Sequence, residues 1–161
     1  GFDHKYIYSH IGYNLKLTDM QAAIGVAQLK KLDQFIKQRK ENFQFLHENL
    51  QSLKAYLSLP ISSENTTPSW FGFPIMVKEN SPITRNEIVK YLTEKNIGTR
   101  LLFGGNLLKQ PAYKKLLARE KKSFPNTDIV MNNVFWIGVQ PNLTTDQLRY
   151  VVDSIEGVFN E

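Results

Sequence analysis

Three Thr-x-x-Glu/Gln boxes constrain this chain more than any other feature, because each marks the first turn of a helix and its direction. They are Thr18 with Gln21, Thr84 with Glu87, and Thr144 with Gln147. In each, the Thr hydroxyl can accept a free amide at the helix start while the side chain three residues on accepts from the Thr amide. After the first box, Met20, Ala23, Ile24 and Ala27 lie on one helical face, and Ala22, Val26 and Leu29 cover the other. A helix that is apolar nearly all round is expected to be buried. Gly25 and the alanines would admit another backbone closely, either inside the domain or across a subunit interface, and the interface is the preferred reading.

From Leu32 the helical period continues through Phe35, Ile36, Phe43, Leu46, Leu50 and Leu53, predicting a long amphipathic helix that ends before Pro60 and the polar run Ser62 to Thr67. Trp70 to Val77 reads as extended. Pro74 cannot donate to a ladder, so that segment is expected at a sheet edge or with a bulge. The second boxed helix is expected to end near Lys95, where Asn96 and Gly98 tolerate left-handed backbone. A strand follows at Thr99 to Leu102. Pro111 opens a short helix, another covers Thr127 to Asn132, and Val134 to Val139 is a strand. The last helix buries Leu148, Val151, Val152, Ile155 and Phe159. This order implies a small α+β layer, a short sheet covered by helices on one face.

Composition excludes several chemistries. The 161 residues include no cysteine, so no disulfide, zinc-thiolate, iron-sulfur cluster or cysteine nucleophile resides in this segment. No run approaches the length of a membrane span, no basic stretch followed by an apolar core marks a signal peptide, and a soluble segment is expected. The opening Gly1, followed at once by an aromatic, motif-like run, reads as a piece of a longer protein. A net charge of +5 suits phosphate partners but equally an ordinary solvated surface. His4, His10 and His47 match neither metal-ligand nor catalytic spacing, and no phosphate loop or nucleophile elbow occurs.

Two loops carry possible chemistry. Ser9 to Lys16 crowds amide, hydroxyl and ammonium donors before a helix start, where an anion is favoured; the alternative is a turn held by Asn14 and Ser9 with Lys16 solvated. Gly98 to Asn106 delivers Arg100 into a loop whose paired glycines permit close backbone approach. Arginine suits bidentate binding of phosphate or a sugar hydroxyl pair, and the alternative is a structural loop with a surface arginine.

With these loops on the page, GYNLKLTDMQAAIGVAQLKKL, DHKYIYSHIGYNLK, PSWFGFPI, GTRLLFGGNLLKQPAY and NNVFWIGV together resemble the DegT-type sugar aminotransferase and dehydratase family. The likeness runs end to end and is strongest to the CDP-4-keto-6-deoxyglucose 3-dehydrase branch of lipopolysaccharide O-antigen synthesis. It implies the small C-terminal domain of a fold-type-I pyridoxal-phosphate enzyme. Residues 1–32 would be a loop and interface helix following a large cofactor domain, and 33–161 a small α+β domain with a long leading helix.

The resemblance implies a cytoplasmic homodimer that uses pyridoxamine phosphate on a CDP-sugar, with a [2Fe-2S] cluster and a flavin/iron-sulfur reductase partner completing deoxygenation of a dideoxysugar. By position, Asn14 matches an asparagine that reaches the cofactor phosphate of the neighbouring subunit. Lys16 stands where many relatives carry arginine. Arg100 and Asn106 lie in the loop expected to face the sugar nucleotide. Catalytic residues and cluster cysteines are expected upstream of Gly1, so this chain alone is expected to be inactive and to bind no cofactor tightly. The competing readings are a nucleotide-sugar aminotransferase, the cluster-free dehydratase of the colitose pathway, and, from another class, a basic helical interaction module. No nucleic-acid or membrane partner is expected.

Overall fold

A computed structural model describes residues 12–13, 15–113 and 123–160. The chain divides into two compact units, Gly1–Asp33 and Gln34–Glu161. Asn14, His4, His10 and most of the helix expected after Pro111 lie outside the described residues.

All three boxes form. Helix α1 (Asp19–Leu29) is capped by Thr18 and Gln21, α3 (Arg85–Glu94) by Thr84 and Glu87, and α5 (Thr145–Gly157) by Thr144 and Gln147. Helix α2 spans Leu32–Asn49 and is followed by a 3-10 turn at Gln51–Leu53; α4 spans Pro125–Asn133 with proline in its first turn. The strands are β1 (Leu57–Ser58), β2 (Gly72–Val77), β3 (Thr99–Leu101) and β4 (Val134–Gly138). They form one antiparallel sheet in the order β1-β2-β4-β3.

In the first unit the alternative of burial inside the domain does not hold, and the preferred reading, an interface helix, is the one compatible with exposure in a single chain. Helix α1 buries none of its side chains, and Met20, Ile24, Val26 and Leu29 are all well exposed. The sequence pattern specifies that every face is apolar. It does not specify which polypeptide covers those faces.

In the second unit the core lies between one sheet face and three helices. Phe73, Ile75 and Val77 alternate inward along β2, Phe135 and Ile137 along β4, and they meet Phe43 and Leu46 of α2, Ile88 and Leu92 of α3, and Leu148, Val152 and Ile155 of α5. Phe43 joins sheet to helix: its ring stacks on Trp70 at 4.7 Å and tilts against Phe73 at 5.0 Å. The buried Asn42 amide donates to the Gln140 carbonyl at 2.7 Å and its oxygen accepts from Gln38 at 3.0 Å, so this polar group is satisfied. Arg85 donates to the Met131 and Val134 carbonyls at the end of α4, where carbonyls lack helical partners.

Pro74 does not lie on an outermost strand, since β2 is flanked by β1 and β4. Yet β1 covers only Met76 and Val77. The Lys78 amide donates towards β1, to Tyr56, so by alternation the nitrogens of Met76, Pro74 and Gly72 face that same side. Pro74 therefore sits where no neighbouring strand asks it for a donor. Asn96 takes the left-handed conformation (φ 58°), whereas Gly98 does not. Among the described residues no helix is long and apolar enough to cross a membrane.

Candidate functional site

On the sheet face opposite the core, register aligns Pro74 with Trp136 and Trp136 with Arg100. Gly72 completes this face, because a Cβ there would overlap the Trp136 ring. The Trp136 indole also packs on Phe71 at 5.1 Å. Beside it runs a groove of about 930 Å³ walled by Phe71, Trp136, Tyr150 and Arg39 over Gly98 and Gly138. Arg39 is tied down, donating to the Trp70 carbonyl at 3.1 Å.

Strand β3 carries Arg100 at its middle, just before the loop that follows. Its side chain is exposed and has no partner among the described residues. Beyond it the backbone is held at four points. Trp136 Nε1 donates to the Leu101 carbonyl at 3.3 Å. Gln110 donates to the Gly104 carbonyl at 2.6 Å. Gly105, at φ +62°, lies directly against Met131, and Asn106 donates to Asp128 Oδ1 at 2.7 Å. Between these fixed points Phe103 adopts φ 52° while its ring is 86% exposed. Left-handed backbone in a bulky residue costs on the order of 1–3 kcal/mol.

Asn106, expected in the substrate-facing loop, is buried. Its amide is taken by Asp128, and its carbonyl oxygen accepts the Leu108 amide at 3.0 Å, capping the 3-10 turn Leu107–Lys109. Lys109 closes the cluster with a 2.9 Å ion pair to Asp128. Asn106 thus acts on the loop's shape. Sequence reasoning missed Asp128, whose only signal was a carboxylate in the first turn of α4.

The Asn106 amide, and secondarily Lys109, hold the Asp128 carboxyl below its ordinary value of 3.8. A depressed carboxyl contributes stability above its unfolded pKa, and that contribution is lost as pH falls through the folded value. In an NMR titration the Asn106 side-chain amide signals are therefore expected to shift with a midpoint below the ordinary aspartate value. An Asp128→Asn variant should give a flat profile; a wild-type midpoint above 4 would contradict the assignment.

At the start of α1, Lys16 is exposed. The box takes the Thr18 and Gln21 amides, and Asp19 places a carboxylate in the first turn. Both features lower the anion affinity of this helix end relative to the sequence expectation. Arg100 and the Lys16 segment belong to separate units. Among the described residues no cluster of His, Asp or Glu could hold a metal ion.

Comparison with known proteins fits this architecture. The chain is 54% identical over 159 residues to the lipopolysaccharide biosynthesis protein RfbH of Salmonella typhimurium, covering 99% of this chain and 36% of that protein. It is 45% identical over 155 residues to a dTDP-4-dehydro-2,6-dideoxy-D-glucose 3-dehydratase of Saccharopolyspora spinosa, covering 96% of this chain and 33% of the relative. The structure of E. coli GDP-4-keto-6-deoxy-D-mannose-3-dehydratase with bound hydrated PLP matches with a TM-score of 0.76 at 26% identity, over 94% of this chain and 38% of that one. The chain thus spans about a third of the length of these curated relatives. The DegT/DnrJ/EryC1/StrS aminotransferase family matches residues 1–156, and this chain belongs to that family.

Proposed function

We propose that this chain is the C-terminal part of a pyridoxamine-phosphate-dependent CDP-4-keto-6-deoxyglucose 3-dehydrase, acting in 3,6-dideoxyhexose and O-antigen lipopolysaccharide synthesis. The observation that carries the reading is the 54% identity to RfbH across 99% of the chain. Pyridoxamine phosphate, when bound, supplies the amine and electron-withdrawing ring that allow the sugar C3 hydroxyl to leave.

The donor set here suits anionic groups at the periphery of such a site. Arg100 is an exposed guanidinium with no competing partner among the described residues, suited to the substrate diphosphate. Asn106 fixes the loop that follows its strand. Asn14 and Lys16 are the proposed contacts to the cofactor phosphate of a neighbouring subunit in a homodimer. This chain has no cysteine, so the ligands of a [2Fe-2S] cluster belong to the remainder of a cytoplasmic full-length protein, which takes its electrons from a flavin/iron-sulfur reductase partner.

The test is to purify the full-length polypeptide with pyridoxamine phosphate and CDP-4-keto-6-deoxyglucose in water enriched in 18O. The expected result is label entering at C3, from reversible loss of that hydroxyl. Glutamate-dependent amination at C4 without C3 exchange would replace the reading with an aminotransferase. The 161-residue chain alone is expected to give no turnover and to bind pyridoxamine phosphate weakly, because most of the cofactor's contacts would lie elsewhere; submicromolar affinity would contradict this.

A further inference from the structure

The loop after β3 holds an exposed aromatic ring in an unfavourable backbone conformation. Phe103 sits at φ 52°, its amide turned back onto the Leu101 carbonyl at 2.8 Å, with the ring 86% exposed. Beyond that one backbone hydrogen bond, no ring stacking or other hydrogen bond of Phe103 among the described residues offsets the conformation. The anchors on either side, Trp136 on Leu101 and Gln110 on Gly104, keep the loop from relaxing it. A strained residue persists when its surroundings over-determine it, and such residues concentrate at ligand contacts. Three residues earlier lies the exposed cation of Arg100, without a partner among the described residues. An exposed π-face on a restrained backbone, close in sequence to a guanidinium with no partner among the described residues, has the chemistry that recognises a nucleoside diphosphate: the ring takes the base and the cation the phosphates.

We infer that Phe103 stacks on the base of the nucleotide half of the substrate; this deepens, and rests on, the reading of the preceding subsection. Stacking tolerates different bases because each presents a π-face. The names of the relatives carry both dTDP and GDP sugars, as expected if this contact reads ring surface and hydrogen bonds elsewhere read base identity.

The experiment uses the full-length protein and CDP as the probe, by calorimetry, beside KM and kcat for the CDP-sugar. Phe103→Gly is the informative variant, since glycine accepts φ 52° without strain and leaves the loop shape intact. Its CDP affinity and KM are expected to worsen by about tenfold or more with little change in kcat, within the range of base-aromatic stacking. Phe103→Tyr and Phe103→Trp should stay close to wild type, and inorganic pyrophosphate should bind all four proteins equally. Unchanged CDP affinity in Phe103→Gly, with a lowered melting temperature, would overturn the inference and assign the ring to packing. Equal losses for CDP and pyrophosphate would overturn it in favour of a loop effect. A wild-type protein that exchanges C3 oxygen yet ignores CDP overturns the inference alone; one that does neither removes the parent reading as well.

Discussion

Replacing Phe73 with alanine is expected to remove about 3–5 kcal/mol of folding stability, the range for deleting a buried aromatic side chain. Phe73 is fully buried at the centre of β2, opposite Ile137, with its ring against Phe43. Phe43 in turn stacks on Trp70, so the cavity would open at the junction of sheet and α2. Because whole domains are stable by about 5–15 kcal/mol, the variant should unfold at much lower urea. Fluorescence of Trp70 is a suitable monitor. A loss below about 1 kcal/mol would mean that the surrounding rings collapse into the space, and the account of this core would fail.

The second large effect is expected at Gly105. Its φ of +62° costs an L-residue about 1–2 kcal/mol. The new methyl of Gly105→Ala would also lie 2.5 Å from Met131 Cγ and 3.1 Å from Met131 Cα, and forced overpacking adds about 1–3 kcal/mol. Because one of those atoms is backbone, a rotamer change in Met131 cannot relieve the clash. The variant should lose about 2–5 kcal/mol and detach the loop from α4, visible as faster hydrogen exchange at Leu108. Gly138→Ala is the control: open space surrounds that position, and its effect should stay within about 0.5 kcal/mol. Equal behaviour of the two variants would refute the packing argument.

What could be read in the sequence is local. The capping boxes at Thr18, Thr84 and Thr144 depend on atoms three residues apart, and all three form. The inward alternation of Phe73, Ile75 and Val77 is likewise contained in one strand. Strand β1 escaped notice because two residues, Leu57 and Ser58, carry no period. The Asn106 contact is illegible for a different reason: its partner Asp128 is 22 residues away, and only the folded chain brings the two together. The Trp136 bond to Leu101 spans 35 residues, so the restraint on the loop around Phe103 was equally invisible. Helix α1 shows the opposite limit, where a correct apolar pattern left its covering surface undefined.

The short reach of β1 has a consequence for solubility. It leaves the Gly72 to Ile75 stretch of β2 without a strand partner on that side, and an unpaired flank of an apolar strand is the kind of surface that recruits foreign chains into cross-β stacks. Pro74 stands in the middle of that flank, its ring nitrogen turned outward with no hydrogen to offer. An incoming strand would find its ladder interrupted there, so the residue works as a gatekeeper against misassembly at the one part of β2 that β1 leaves uncovered.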